Sequence, residues 1–190
     1  QSLEAGRRIM AWAAQAGSGD RVIFLMSGGG SALLCAPADG ISFAEKQAMT
    51  DWLVRSGRGI EDINLVRRHL SRIKGGRLAG LAGAKGAELL TYVISDVAND
   101  DPALVASGPS IGAAFDPDEA IRILMSSGWS LSEGTANAIR ANRPERDFPH
   151  DCHVIATNAD ALMAISAQAK GKGWSVVDIG GRLTGDAATT

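Results

Sequence analysis

The sequence RVIFLMSGGGS at residues 21–31 decides the fold class of this chain. Its first six residues form an apolar run of strand length, the pattern of a parallel strand that is covered on both faces. Three consecutive glycines follow, flanked by Ser27 and Ser31, and the next residues have the character of a short helical start. A strand, a tight turn and a helix in this order predict an α/β protein.

The rest of the chain repeats this alternation. Further strands are predicted at 88–95, 153–156 and 174–179, and helices at 2–15, 42–56, 60–74, 118–127, 132–142 and 158–170. Ser42 with Glu45 has the spacing of a capping box, and Gly75-Gly76 is typical of a helix C-terminus. We therefore predict a doubly wound, mostly parallel sheet with helices on both faces, a Rossmann-like architecture. The two helices within 116–151 are interpreted as an insertion or lid.

Composition excludes several classes of protein. The 19 Lys and Arg nearly balance the 21 Asp and Glu of this 190-residue chain, so no global field draws it to nucleic acid or to an anionic membrane. No apolar run reaches the roughly 18 residues of a membrane span, and the N-terminus lacks the order of a signal peptide. Cys35 and Cys152 have no metal-ligand spacing and are expected to be free thiols. A cytoplasmic protein with a small-molecule ligand is expected.

Ligands of an open parallel sheet bind beyond the carboxyl ends of its strands, so the residues after each predicted strand are candidates. The four strands are followed by SGGGS, SDVANDD, TNAD and GGRLTGD, in which Asp186 remains without an assigned role. Glycines permit positive φ and close approach to a ligand, and their N–H groups with a helix N-terminus bind anions. The expected phosphate-binding residues are Ser27, Gly28, Gly29, Gly30 and Ser31. The alternative is an ordinary loop or cap, and the spacing is neither GxGxxG nor GxxxxGK[ST].

Polar residues follow the predicted helix 60–74 at helical spacing. They repeat one residue after a buried stripe and therefore share one side of the helix: Asn64, Arg67, Ser71 and Lys74. A row of donors with two cations suits a carboxylate or a phosphate. The alternative is a solvated basic face, with Lys74 interacting with the helix dipole.

Acidic residues follow the second predicted strand. Asp96, Asp100 and Asp101 are placed to bind Mg²⁺ beside a polyphosphate or to accept a hydroxyl proton. The alternative is turn chemistry, in which Asp bonds to its own backbone. The turn that contains Ser107 is a second candidate for an anion-facing loop, and Thr157 with Asp160 is interpreted as a helix cap.

Four blocks of sequence follow one another along the chain: SGGGSALL at 27–34, NLVRRHLSRIKGGRLA at 64–79, SDVANDDP at 95–102 and ASGPS at 106–110. Together they resemble the glycerate 2-kinase family, whose catalytic domain is paired with a C-terminal domain called MOFRL. The family usually has glycine where Asn99 stands and threonine where Ser110 stands. The resemblance implies that residues 1–190 are the catalytic domain, without an N-terminal portion that carries a lysine thought to be catalytic and without the MOFRL domain. Weak or no activity is then expected of this segment alone.

The resemblance implies phosphorylation of D-glycerate at its 2-hydroxyl by ATP with Mg²⁺, giving 2-phosphoglycerate. The glycine turn would hold nucleotide phosphates, and Asp96 would bind Mg²⁺ or orient the 2-hydroxyl, with Asp100 as second carboxylate. Arg67 and Lys74 would hold the substrate carboxylate or neutralise charge during transfer. Further substrate ligands would be Asn64, Ser71 and Ser107.

Two other functions stay open. Some similar members carry the name hydroxypyruvate reductase, which implies oxidation of NADH or NADPH, although the glycine fingerprint expected of a doubly wound dehydrogenase is not present. A non-catalytic module that binds sugar acids or sugar phosphates could use the same cations and glycines. The oligomeric state is also open, with a homodimer as one possibility.

Overall fold

Three parallel strands in the order β1-β2-β3 form the sheet of the computed structural model, which describes residues 1–112, 114–144 and 150–178. The strands are β1 (Arg21–Met26), β2 (Glu88–Ile94) and β3 (Asp151–Ala156). The helices are α1 (Ser2–Ala13), α2 (Gly30–Leu33), α3 (Phe43–Arg55), α4 (Ile60–His69), α5 (Arg77–Gly83), α6 (Pro117–Ser126), α7 (Glu133–Ala141) and α8 (Asn158–Gly171), with a 3₁₀ turn at Val105–Ser107. The register pairs Arg21 with Glu88 and Leu90 with Asp151. The predicted α/β class with a parallel sheet is confirmed.

The strand β1 is buried on one face only. Val22 is 3% exposed, whereas Ile23 is 49% and Leu25 is 80% exposed. Successive side chains of a strand point to opposite faces, and the described residues pack against one of them. The expectation that this strand is covered on both faces is therefore wrong within the described part of the chain.

The predicted strand at 174–179 does not form over its described residues, 174–178. Trp174 is 70% and Val177 is 85% exposed, so neither packs against the sheet. An apolar run becomes a strand only where a neighbouring strand pairs with its backbone. Residue 179, the GGRLTGD turn and Asp186 lie outside the described residues.

The predicted helix 60–74 ends five residues early, at His69. Beyond it the chain pairs with the extended segment before α3: the Ala38 N–H donates to the Leu70 carbonyl at 3.1 Å, and the Arg72 N–H donates to the Ala36 carbonyl at 2.9 Å. These bonds draw the chain out of the helix. The prediction that Asn64, Arg67, Ser71 and Lys74 share one side of a helix is therefore wrong, because Ser71 and Lys74 lie beyond its end.

The two predicted caps are confirmed, and one helix was missed. The Ser42 hydroxyl accepts from the Glu45 N–H at 3.1 Å, and Thr157 forms a capping box with Asp160. Gly76, predicted to end a helix, instead begins α5 with a φ of 81°. The α5 sequence RLAGLAG is short and contains two glycines, so propensity did not indicate a helix.

The interpretation of residues 116–151 as a lid is wrong. Leu124 on α6 and Ile139 on α7 are both 0% exposed and belong to one core cluster with Met49 of α3 and Val66 of α4. The helices α6 and α7 are therefore core elements that hold α3 and α4 in place. No helix in the described residues is both long and apolar enough to cross a membrane.

Candidate functional site

The glycine turn at the end of β1 leads into one turn of helix, α2. Gly29 begins this helix in the left-handed conformation, with φ of 78°, which a side chain would disfavour. A helix of four residues aligns few peptide dipoles, so the charges of nearby side chains contribute most of the positive potential. Ser31 lies on this turn of helix and faces those side chains.

The Ser31 hydroxyl is the centre of a group of four side chains that we call the Ser31 cluster: Ser31, Arg67, Lys74 and Ser107. The Lys74 ammonium donates to Ser31 Oγ at 2.5 Å, and Arg67 Nη2 donates to the same oxygen at 3.1 Å. Ser107 Oγ lies 3.1 Å from it. The Arg67 guanidinium and the Lys74 ammonium donate to Ser31, and either hydroxyl can donate in the bond between Ser31 and Ser107.

Lys74 also bonds to the backbone on both sides of the site. Its ammonium donates to the Ser31 carbonyl at 3.2 Å and to the Ala106 carbonyl at 3.3 Å. Ser71 fixes the backbone turn that directs Lys74 towards Ser31. Ser71 is 1% exposed, and its hydroxyl accepts from the Ile73 and Lys74 N–H groups at 3.2 and 3.3 Å. Ser71, predicted as a substrate ligand, thus shapes the turn behind the site.

The turn that contains Ser107 is held in a strained conformation. Ala106 and Ser107 have φ values of 51° and 63°, in the left-handed region, and Gly108 follows at 61°. For residues with a side chain this costs about 1–3 kcal/mol each, and it persists only where the surroundings enforce it. The Lys74 bond to Ala106 and a 3.1 Å bond from the Gly75 N–H to the Ser107 carbonyl supply that restraint. Strain of this kind is typical of functional sites.

Lys46 is a third cation at this place, and the sequence analysis missed it. It lies on the same face of α3 as Met49 and Leu53, three and seven residues before them in the chain. Both of those residues are 0% exposed, and Lys46 itself is 8% exposed. A lysine in a buried stripe was the available signal. Its charge lowers the pKa of Lys74, as that of Arg67 does.

The two buried lysines and the half-buried Arg67 have no acid partners among the described residues. The ion pairs there join other side chains, and none includes Lys46, Arg67 or Lys74. Burial, together with the charges of Arg67 and Lys46, lowers the pKa of Lys74 to about 7. Burial likewise lowers the pKa of Lys46. Such a concentration of uncompensated positive charge suits an anionic ligand.

The lowered pKa of Lys74 makes stability depend on pH. Between about pH 7 and its ordinary value of 10.5 the unfolded chain binds the extra proton, so the free energy of unfolding rises with pH over this range and is flat below it. Urea unfolding at about pH 6 and about pH 9 should show a larger rise in the wild type than in Lys74→Met. The exposed-lysine control Lys172→Met should keep the wild-type rise. An equal rise in Lys74→Met would contradict the assignment.

The structure brings Asp96 to the glycine turn, as the sequence predicts for residues at neighbouring strand ends. Asp96 follows β2 after one residue, and its side chain lies directly against Gly28: a methyl group there would overlap the Asp96 carboxylate. Asp96 itself is exposed to solvent. A carboxylate and the phosphate-binding candidates therefore share one surface.

Asp100 and Asp101 differ from each other. Asp100 has a φ of 54°, and its Oδ1 is buried with no hydrogen-bond partner. Asp101 Oδ1 accepts from the Ala103 N–H at 2.9 Å, a side-chain to backbone bond that stabilises the turn. No group of three or more His, Cys, Asp or Glu in the described ranges is arranged to hold a metal ion. Asn64 lies half-buried on α4, one turn before Arg67.

The chain matches one family model over residues 1–141, described as a domain of unknown function, DUF4147. Among curated proteins it is 34% identical to a D-glycerate 2-kinase of Thermotoga maritima, over 92% of this chain and 41% of that protein. It is 33% identical to the glycerate kinase of Homo sapiens, over 88% and 33% of the two chains. A protein of Agrobacterium vitis named as a hydroxypyruvate reductase is 40% identical, over 98% and 49%.

Solved structures show the same likeness. The crystal structure of the Thermotoga maritima glycerate kinase superposes with a TM-score of 0.80 at 35% identity, over 91% of this chain and 41% of that one. A Pyrococcus horikoshii protein superposes with a TM-score of 0.75 at 32% identity, over the same shares of the two chains. The chain thus spans less than half the length of these relatives.

Proposed function

The chain belongs to the DUF4147 family, and from that premise we propose that its protein transfers the γ-phosphoryl group of ATP to the 2-hydroxyl of D-glycerate, giving 2-phosphoglycerate. The observation that carries the proposal is the Ser31 cluster, whose cations have no acid partner and bond to Ser31 at one end of the glycine turn, while Asp96 lies against Gly28 of the same turn. Phosphoryl transfer requires positioning and neutralisation of charge more than covalent chemistry, and these residues supply both.

The nucleotide phosphates are assigned to the glycine turn. The backbone of 28–30 approaches a ligand without side chains in the way, and hydroxyls flank it on either side. The residues assigned to this role are Ser27, Gly28, Gly29, Gly30 and Ser31. Because α2 is a single turn, Lys74 and Arg67 contribute more charge to this binding than the helix does.

The substrate is assigned to the cations and the strained turn. Arg67 and Lys74, with Asn64 and Ser107, would hold the glycerate carboxylate or neutralise charge in the transition state. The Ser107 hydroxyl lies 3.1 Å from Ser31 Oγ on the strained turn, and as a donor and an acceptor it suits the hydroxyl or carboxylate oxygens of a sugar acid. Ser71 serves the substrate indirectly, by fixing the turn that presents Lys74.

Asp96 is assigned to the reacting hydroxyl. In the transfer the 2-hydroxyl oxygen forms a bond to the γ-phosphorus, the bond from that phosphorus to the leaving ADP oxygen breaks, and the hydroxyl proton passes to the carboxylate. An exposed carboxylate beside the glycine turn is placed to do this because the turn holds the phosphates. Arg67 and Lys74 complete the proposed catalytic set.

The acids also fit a magnesium ion. Mg²⁺ in phosphoryl-transfer enzymes is bound by one or two carboxylates together with substrate phosphates, so the lack of a larger cluster in the described residues is compatible with it. The buried Oδ1 of Asp100 has no partner and would gain one from a cation. Asp96 and Asp100 are the residues that would hold the ion, which when bound neutralises phosphate charge.

Three further parts of the proposal concern the whole protein. Residues 1–190 would belong to the catalytic domain that is associated with MOFRL domains in this family. The enzyme would act in the cytoplasm, and it could assemble as a homodimer. Light scattering of the purified full-length protein measures the assembly directly.

The reductase named among the relatives is the second candidate, because the most identical of the proteins above carries that name. An assay of ADP release by the full-length protein on D-glycerate, tartronate semialdehyde and hydroxypyruvate tests the kinase. Oxidation of NADH or NADPH with hydroxypyruvate tests the reductase. Mg²⁺-dependent release of ADP with glycerate supports the kinase. Oxidation of NADH or NADPH with hydroxypyruvate, in the absence of ADP release with glycerate, would overturn that proposal. Binding without turnover in either assay would indicate a non-catalytic module.

Gly28→Ala is expected to lower kcat for glycerate phosphorylation by about 10–100-fold, because the new methyl group displaces the Asp96 carboxylate. The melting temperature should change little, since the displaced group is exposed. Gly171→Ala is the matched control, because a methyl group there meets nothing within 4 Å. A Gly28→Ala enzyme with wild-type kcat would show that the Asp96 position does not matter for turnover.

A further inference from the structure

We propose that Lys46 is a ligand for an anionic group of the reactants and forms the third cation of the site beside the Ser31 cluster. The chemistry it recognises is a set of anionic oxygens, supplied by a phosphate of the nucleotide or by the carboxylate of the sugar acid. Which reactant supplies them rests on the proposed function, whereas the binding of an anion does not.

The backbone of Lys46 is firmly fixed. The cap at Ser42 starts α3, the Lys46 N–H donates to the Ser42 carbonyl at 3.0 Å, and Thr50 Oγ1 donates to the Lys46 carbonyl at 2.9 Å. Met49 and Leu53 anchor the same face of the helix in the core. The side chain of Lys46 therefore extends from a rigid element, on the face that Met49 and Leu53 anchor.

The Lys46 ammonium has no acceptor among the described residues. No ion pair or hydrogen bond reaches it there, although the residue is more than nine-tenths buried. The carboxylate of Glu45, its neighbour in sequence, accepts instead from Thr135 Oγ1 at 2.5 Å. The Lys46 nitrogen is not among the fully buried side-chain atoms without a partner in the described residues, so it is open to solvent and an anion can reach it. A largely desolvated cation with no acid partner is stabilised by an anionic ligand.

The packing of α3 on α4 places Lys46 at the site, because Met49 and Leu53 on its face lie in one core cluster with Val66, the neighbour of Arg67. The Lys46 ammonium also interacts electrostatically with Arg67 and Lys74 of the Ser31 cluster, and with the Cys35 thiol. Lys46 and Lys74 are buried and Arg67 is half-buried, so repulsion among the three cations destabilises the unliganded protein, and an anion removes this repulsion. Because Arg67 and Lys74 already donate to Ser31, Lys46 is the cation of the three with all its donors free for a ligand.

The test uses isothermal titration of the full-length protein with three separate probes: inorganic phosphate, ADP and D-glycerate. Lys46→Gln should weaken binding of at least one probe by about tenfold or more, and Lys46→Arg should restore part of it. The probe that loses affinity identifies the source of the anion. Lys172→Gln, at an exposed lysine, should bind all three probes as the wild type does. Wild-type affinity of a folded Lys46→Gln protein for all three would overturn the proposal.

A second measurement needs no variant that could fail to fold. Lysines of the wild-type protein are acetylated with acetic anhydride, with and without each probe, and the rate at Lys46 is followed by mass spectrometry. A probe that binds there should slow acetylation of Lys46 and leave Lys172 unchanged, whereas equal rates at Lys46 would overturn the proposal. If Lys46 binds phosphate in a protein that does not phosphorylate glycerate, the proposed function fails and this inference stands. If glycerate is phosphorylated and Lys46 has no effect on binding or acetylation, this inference alone fails.

Discussion

Asp96→Asn in the full-length protein lowers kcat for ATP-dependent phosphorylation of D-glycerate by about 10²–10⁴-fold, the range typical of a positioned acid or base. The amide keeps the shape of the carboxylate but cannot take the hydroxyl proton, and it binds Mg²⁺ poorly. The KM for glycerate should change much less, because the Ser31 cluster that we assign to the substrate remains intact. Steady-state kinetics with coupled detection of ADP measure both constants.

Asp151→Asn is the matched control for this result. Asp151 is an exposed aspartate at the start of β3, whereas Asp96 follows the end of β2, so the two lie at opposite edges of one parallel sheet. The control should retain wild-type kcat and a similar melting temperature. If Asp96→Asn retained wild-type turnover, Asp96 would have no catalytic role and would only contact the glycine turn.

Lys74→Met lowers kcat/KM by about 10²–10³-fold, the loss expected when one fixed donor to developing charge is removed. The loss has two parts: the positive charge disappears, and the bonds from one ammonium to Ser31 and Ala106 disappear with it. Methionine keeps the length of the stem, so the core contacts of the side chain persist. Kinetics at about pH 6.5, where Lys74 is largely protonated, give the clearest comparison.

Lys172→Met controls for the loss of one lysine, because Lys172 is exposed and follows the end of α8, far along the chain from Lys74. It should leave kcat/KM unchanged. A purely structural role of Lys74 would appear as a lower melting temperature with normal kcat/KM in the fraction that is folded. That outcome would show that Lys74 does not contact the reactants and that it only links the segments containing Ser31 and Ala106.

The candidate site was predictable to the extent that its signals are local. The glycine turn after β1 and the acids after β2 follow directly from the order of the residues, and parallel strands bring their carboxyl ends to one edge. Arg67 and Lys74 were predicted to act together for a wrong reason, a shared helical face. The two meet at Ser31 because the chain leaves α4 at His69 and returns beneath α2.

Long-range contacts decided what the sequence could not. The pairing of Ala38 with Leu70 ends α4, and no periodicity within residues 60–74 contains that information. The left-handed Ala106 depends on Lys74, 32 residues earlier in the chain. The position of Lys46 in the buried stripe of α3 was a local signal, but its nearness to Arg67 and Lys74 depends on how α3 packs against α4.

The sequence by itself therefore determined the α/β class, three of the four predicted strands, the glycine turn and the helix caps, since the signals for these elements lie within short segments of the chain. Only the tertiary structure decided which cations share the site, that the Asp96 carboxylate lies against Gly28, and that α6 and α7 belong to the core. The physical reason is that burial and charge are properties of the space around a side chain. Segments far apart in sequence, here α2, α3, α4 and the 3₁₀ turn, fill that space together.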